Sequence, residues 1–384
     1  MKKINSQIVK NKQVLLRVDY NVDLDKKGKI ISDFRLRASL PTINFLLKNK
    51  AKKIIIISHL GRPEGKDKKL SLLPIAKHLE KLLNQKIIFI DDCVGKKVKE
   101  AIESSEEKIF VLENLRFYKE EEKNDKSFAQ ELAKLADVYV NDAFGVCHRL
   151  NASVGAITNF LPSYSGLLLE KEVKNLQKLK KNIKHPFVVI LGGAKISTKL
   201  PIINEFLDIA DYILLGGGLA NTIWKARGFE VGKSLIEEEK IPEAKKLGSR
   251  KAELILPRDF IITSSFESSK GKLKEIENIN KKDIIVDIGE TSTKVFCQLI
   301  KSAKTILWNG PMGYWENKNF QTATIKIAKA IAQNKNFTVV GGGETLIAIE
   351  QLKLIDKYSL VSTGGGAMLE FLAKDNLPAL KFLE

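Results

Sequence analysis

The sequence predicts an α/β protein of two domains, each a mostly parallel sheet with helices on both faces. Three observations carry this expectation. Apolar strand-like runs alternate with helical patterns along the whole chain. The runs are nearly continuously apolar, as strands buried on both faces must be, and they fall into two successive series. At 384 residues the chain is also long for one hydrophobic core and comfortable for two.

The first series runs VLLRVDYNV (14–22), KIIIISHL (53–60), KIIFI (86–90), IFVLENL (109–115) and VYVNDAF (138–144). The second runs PFVVILGG (186–193), YILLGGG (212–218), AELILP (252–257), IIVDIG (284–289), TILWNG (305–310), FTVVGGG (337–343) and YSLVST (358–363). Helical patterns such as LRASLPTINFLLKNK and ATIKIAKAIAQNK separate them. Between the two series, residues 161–186 read LPSYSGLLLEKEVKNLQKLKKNIKHP, which predicts one long helix joining the domains. It is bounded by prolines and carries an acid–lysine pair four apart, Glu170 and Lys174, as a solvent-bridging helix or a hinge would.

Composition excludes several classes. No apolar run approaches a membrane span, and the N-terminus MKKINSQIVKNKQ lacks the apolar core of a secretory signal. Cys93, Cys147 and Cys297 are widely spaced and form no CxxC pair, which argues against structural zinc or a disulfide framework and for the cytoplasm. The formal charge of +18 raises the question of nucleic acid. The lysines, however, are spread along the chain and mixed with acids, and no nucleic-acid-binding signature accompanies them. A general attraction for anionic substrates is the simpler expectation.

Glycine separates the halves: seven of the 25 lie at or before Gly166. The later ones cluster where strands end, in LGGAK, LLGGG, WNGPMG, VVGGGET and STGGGA. The first half ends its strands in polar and cationic groups instead: RVDYN, SHLGR, ENLR and NDAFGVCHR. Ligands of open parallel sheets bind beyond the carboxyl ends of the strands. The first half therefore suits a small, highly anionic ligand gripped by side chains, and the second a nucleotide approached by bare backbone. Common nucleotide fingerprints fail: GFEVGKS is one residue short of a Walker A loop, and GGGETL does not extend to GxGxxG.

Individual residues sharpen the picture. Lys195 and Lys199 in GGAKISTK open a predicted helix on one face, where cations are unfavourable unless an anion binds; two solvated lysines are the alternative. Arg35 and Arg37 stand in the first turn of a helix capped by Ser32 or Asp33, and one of them is free to pair with an aspartate. His59, Arg62, Arg116, His148 and Arg149 lie at or near separate strand ends and would bring several cations to one rim. Asp19 and Asn21 could bind substrate hydroxyls or close a turn. Glu344 could hold a metal or favour a helix N-terminus without any ligand. No nucleophilic constellation is evident, which matters less for phosphoryl transfer, where positioning and charge neutralisation do most of the work.

RVDYNV, SHLGRP, ENLRF, AFGVCHR, GGAKISTK, TILWNGPMG, VVGGGET and STGGGAMLEF, in that order from about Arg17 to about Leu377, closely resemble the phosphoglycerate kinase family. The resemblance implies two Rossmann-like domains, 1–165 with a C-terminal tail of about 372–384 for phosphoglycerate, and 166–371 for nucleotide. It implies phosphoryl transfer between 1,3-bisphosphoglycerate and ADP, giving 3-phosphoglycerate and MgATP, in a cytoplasmic monomer without nucleic-acid or membrane partners. By matching position, Asp19, Asn21, Arg35, His59, Leu60, Gly61, Arg62, Arg116 and Arg149 would hold phosphoglycerate. Gly193, Lys195, Lys199, Gly217, Gly289, Asn309, Pro311, Glu316, Gly342, Gly343, Glu344 and Thr345 would surround the nucleotide. Arg35, Lys195 and Lys199 would be catalytic, and Glu344 would meet Mg2+ directly or through a water. The chain departs from the usual pattern at Asp23, Asn151, Glu290 and Glu344. Asn151 and Glu344 motivate a second reading, a nucleotide-binding homologue with weakened catalysis.

Overall fold

The computed structural model describes residues 1–25, 28–374 and 376–384. The chain divides into two compact units, Met1–Lys174 with Lys374–Glu384, and Asn175–Ala373.

In the first unit, β1 (Gln13–Arg17), β2 (Lys53–Ile57), β3 (Ile87–Ile90), β4 (Ile109–Leu112), β5 (Val138–Asn141) and β6 (Ser163–Ser165) form one parallel sheet in the order β3-β4-β2-β1-β5-β6. Side chains alternate between two cores. Val14, Leu16, Ile54 and Ile56 pack on one face, while Leu15, Ile55, Ile57 and Phe110 pack on the other. That double burial is why these strands read as unbroken apolar runs. Register places Arg17 beside Ile57 and Asn141, so the segments leaving β1, β2 and β5 emerge at one edge. The C-terminal residues return to this unit, where Ala379 N–H donates to the Cys147 carbonyl (3.1 Å).

The second unit holds a parallel sheet of β7 (Phe187–Leu191), β8 (Tyr212–Leu215), β9 (Glu253–Ile255), β13 (Thr305–Asn309), β14 (Phe337–Gly341) and β15 (Leu360–Val361), ordered β15-β14-β13-β7-β8-β9. Chain direction across the sheet reverses between β7 and β13, the switch point at which open sheets of this kind bind ligands. Beside it lies a small antiparallel sheet of β10 (Asp259–Thr263), β11 (Lys272–Glu275) and β12 (Ile284–Ile288).

Three expectations are corrected. IIVDIG forms β12 of the antiparallel sheet and not a member of the parallel series, because β10 pairs with it. The long helix predicted for 161–186 shrinks to Leu167–Gln177. Ser163–Ser165 pairs with β5 instead, and that strand occupies the stretch where the predicted helix begins. Finally, the helix after GGAKISTK starts at Leu200 with Pro201 in its first turn, so Lys195 stands in the preceding loop and does not share a helix face with Lys199.

Candidate active site

At the carboxyl edge of the first sheet, four chain segments meet. Asp19 is buried, and its Oδ1 accepts from Arg35 Nη1 (2.9 Å), which also donates to the Asn21 carbonyl (2.9 Å). Asn21 Oδ1 accepts from the Gly61 amide (2.8 Å), and Arg116 Nη1 donates to the Gly61 carbonyl (2.5 Å). Leu60 is buried, tied to Asn114 through both its amide (3.1 Å) and its carbonyl (2.7 Å). Asp19 and Asn21 thus organise the turn that carries Arg35 and the Gly61 loop. Arg37 is the arginine paired with the helix-start aspartate, donating to Asp33 (2.8 Å). Arg62 and Arg149 are exposed, and Arg149 Nε donates to His148 (3.1 Å).

His59 is not one of the cations. It is buried, and burial together with Arg17, Arg116, Arg35 and Arg149 holds its pKa well below the ordinary histidine value. The same arginines identify a concentrated positive field. Arg116, itself 9% exposed, is pulled below its ordinary value by burial; Glu122 opposes this, and Arg17 and Arg149 add to it. Like charges held this close are costly until an anion arrives, which is what a phosphate or carboxylate supplies. Asn151 is buried and faces inward, its Nδ2 donating to the Glu121 carbonyl (3.4 Å).

In the second unit a cleft of about 660 Å³, measured out to its open mouth, lies at the β7/β13 switch point. Gly193, Gly217, Pro311, Glu316 and Glu344 line it with Leu235, Phe260, Phe266 and Tyr314, an apolar wall with a few polar groups, as small-molecule sites usually have. Backbones approach closely here: a Cβ on Gly192 would lie 1.9 Å from the Pro311 carbonyl oxygen. Gly342, at φ 106°, caps the helix Gly343–Gln351, so VVGGGET is the strand–turn–helix that the sequence implies.

Lys199 is half-buried and donates to Asn309 Oδ1. Burial lowers its pKa to about 8, with Glu344 opposing. Glu344 moves the other way, raised by burial and by Glu316 and held back by Lys199. Asn309 Nδ2 is buried without a hydrogen-bond partner among the described residues. A carboxylate that resists ionisation, with a second one beside it, suits an incoming cation. Among the described residues no three His, Cys, Asp or Glu side chains gather to hold one. A magnesium ion here would take most of its ligands from phosphates and water, its usual habit.

Two expected nucleotide residues sit differently. Thr345 is fully buried, its Oγ1 accepting from the Gly310 amide (2.8 Å), so it braces the loop. Gly289 packs against Asp259 and is not among the residues lining the cleft. Lys195 is exposed, near Glu237. Arg17, Glu121 and Ser153, buried beneath the first-unit site, carried no expected role; the signal was a charge inside the apolar run VLLRV.

The family model for phosphoglycerate kinase matches residues 4–375. Two relatives named phosphoglycerate kinase, from Dictyoglomus turgidum and Coprothermobacter proteolyticus, are 44% and 43% identical over 99% of this chain and 98% of their own length. Among solved structures, phosphoglycerate kinase from Pyrococcus horikoshii OT3 superposes with a TM-score of 0.90 at 32% identity, covering 100% of this chain and 98% of that one. The structure from Coxiella burnetii gives 0.82 at 37%, covering 98% and 96%. With two parallel-sheet units, an arginine-rich rim on one and a glycine-lined cleft on the other, the chain belongs to the phosphoglycerate kinase family of phosphotransferases.

Proposed function

We propose that the chain reversibly transfers a phosphoryl group between the acyl phosphate of 1,3-bisphosphoglycerate and ADP, giving 3-phosphoglycerate and MgATP. The observation that carries this is the arginine field around His59, a place built for a small polyanion. In this reading the first unit holds phosphoglycerate, with Arg35, Arg62, Arg116 and Arg149 as charge partners and His59 and the Gly61 loop as neutral contacts. The cleft of the second unit holds the nucleotide, and Gly193, Gly217, Gly342 and Gly343 let its backbone approach phosphates. Pro311 lines the cleft, Asn309 holds Lys199 from behind it, and Glu316 meets the ribose hydroxyls. Arg35, Lys195 and Lys199 balance charge on the phosphoryl group during transfer. Bound magnesium would neutralise phosphate charge, and Glu344, directly or through a water, would hold it.

Direct transfer needs both substrates in line, so closure of the two units and exclusion of water belong to this proposal. A monomer working in the cytoplasm fits it; no helix among the described residues is long and apolar enough to cross a membrane. The test is ATP-dependent consumption of 3-phosphoglycerate by pure protein, followed as ADP release. A magnesium-dependent rate is expected. Its absence, with MgADP and 3-phosphoglycerate still binding in calorimetry, would replace this reading with a homologue of weakened catalysis.

A further inference from the structure

Beneath the residues facing the first-unit site lies a second, buried tier of polar groups. Arg17 ends β1 and is 1% exposed, so it has no surface with which to meet a ligand. Its guanidinium is committed within the protein. Nε donates to Ser153 Oγ (2.9 Å), Nη1 to the Val18 carbonyl, and Nη2 lies 3.1 Å from His59 Nδ1. An arginine stays protonated at any pH a folded protein survives, and it has no lone pair with which to accept. The direction of the last bond is therefore settled: Arg17 donates and Nδ1 accepts. In a neutral imidazole the proton must then sit on Nε2. No hydrogen bond from the described residues reaches that nitrogen, which leaves it for a ligand.

Behind Arg17 stands Glu121, also 1% exposed. Its Oε1 accepts from Ser153 Oγ (2.6 Å) and its Oε2 from the Ser153 amide (2.9 Å). Ser153 thus donates to Glu121 and accepts from Arg17, a one-way chain of hydrogen bonds from arginine to serine to carboxylate. Burial raises the pKa of Glu121, and the charge of Arg17 is the largest influence opposing it. Arg17 makes no direct ion pair among the described residues, so Glu121, one serine away, is the anion that balances it. A buried arginine without such a partner would shift toward water and release His59.

We infer that Arg17 and Glu121 are positioning residues that together lock His59 as the Nε2–H tautomer, so that the imidazole meets its anionic ligand as a neutral hydrogen-bond donor and not as a cation. The identity of that ligand rests on the assignment of the first unit to phosphoglycerate; the tautomer does not. A neutral donor adds direction without adding charge to a rim already crowded with arginines. It also leaves ligand binding uncoupled from proton uptake at this histidine.

The chain has only four histidines, so their ring nitrogens can be followed by NMR in 15N-histidine-labelled protein, with His59 assigned from its loss in His59→Gln. The parent should show His59 with an unprotonated Nδ1 and a protonated Nε2, unchanged between about pH 5.5 and 8. Arg17→Met removes the donor and Ser153→Ala breaks the bridge. Glu121→Gln keeps the shape but removes the charge. In each, the single Nε2–H pattern should give way to a mixture. In Glu121→Gln the KM for 3-phosphoglycerate should rise roughly tenfold or more, while the KM for MgATP stays within about twofold. An Nδ1–H ring in the parent overturns the inference, and so does a folded Glu121→Gln protein with unaltered spectrum and unaltered KM. Should Arg17→Met fail to fold, the parent spectrum and the two milder variants decide. If the parent turns over no 3-phosphoglycerate, the functional reading fails separately, because the spectra are recorded without substrate and still uphold or overturn the tautomer.

Discussion

Lys199 and Glu344 show how one pair of side chains can prepare for a ligand that neutralises both. Burial lowers the lysine to about 8 and raises the carboxylate, so each is less charged than it would be in water. Phosphates arriving beside Lys199 favour its charged form and return its pKa toward the ordinary value of about 10.4. The free enzyme is half deprotonated there near pH 8 and the complex is protonated, so nucleotide binding should take up a proton at about pH 8–9 and almost none at about pH 6.5. Calorimetry in buffers of different ionisation enthalpy measures this; equal heats at the higher pH would show that Lys199 does not meet phosphate. Glu344→Ala should weaken MgADP binding roughly tenfold or more while leaving metal-free ADP within about twofold. Equal loss of both would make Glu344 a helix-favouring acid only. VVGGGET shows in sequence that an acid follows three glycines; that Glu316 and Lys199 flank it is visible only in the fold.

At the scale of elements, the helix Leu167–Gln177 depends on a residue from a different strand. Asp142, just past β5, accepts from the amides of Leu168 (2.9 Å) and Leu169 (3.1 Å), two of the donors every helix start leaves unpaired. Gly166 stands immediately before it, and a Cβ there would lie 2.2 Å from Asp142 Oδ1. Asp142→Ala should therefore cost the first unit about 1–3 kcal/mol, read as a lower urea midpoint for its transition. An unchanged midpoint would show that water caps the helix equally well. Periodicity found this helix but extended it too far at both ends. Apolar Leu179 and Ile183 among lysines, with no breaker before Pro186, continue the helical signal beyond Gln177, whereas the pairing of Ser163–Ser165 with β5 involves residues remote in sequence. The start at Leu200 shows the same limit: Pro201 marks it locally, yet the predicted helix ran back to Lys195.

Over the whole molecule, a net charge of +18 surrounds a reaction whose substrates are all anions. Screening at physiological ionic strength reaches about 8 Å, so rising salt should lower kcat/KM for 3-phosphoglycerate and leave kcat nearly unchanged. Initial rates across a potassium acetate series test this, and a flat kcat/KM would confine electrostatics to the sites themselves. The sequence by itself determined the parallel-sheet architecture, the two-part organisation and the contrast between an arginine-bearing half and a glycine-bearing half. Apolar runs, turns and strand-end residues are local properties of a chain. Only the tertiary structure decided that His59 is buried and neutral, that Thr345 braces a loop, and that Arg17 and Glu121 stand behind the site. Protonation and hydrogen-bond direction depend on which distant residues exclude water from a group and which charges then face it, and folding alone brings those residues together.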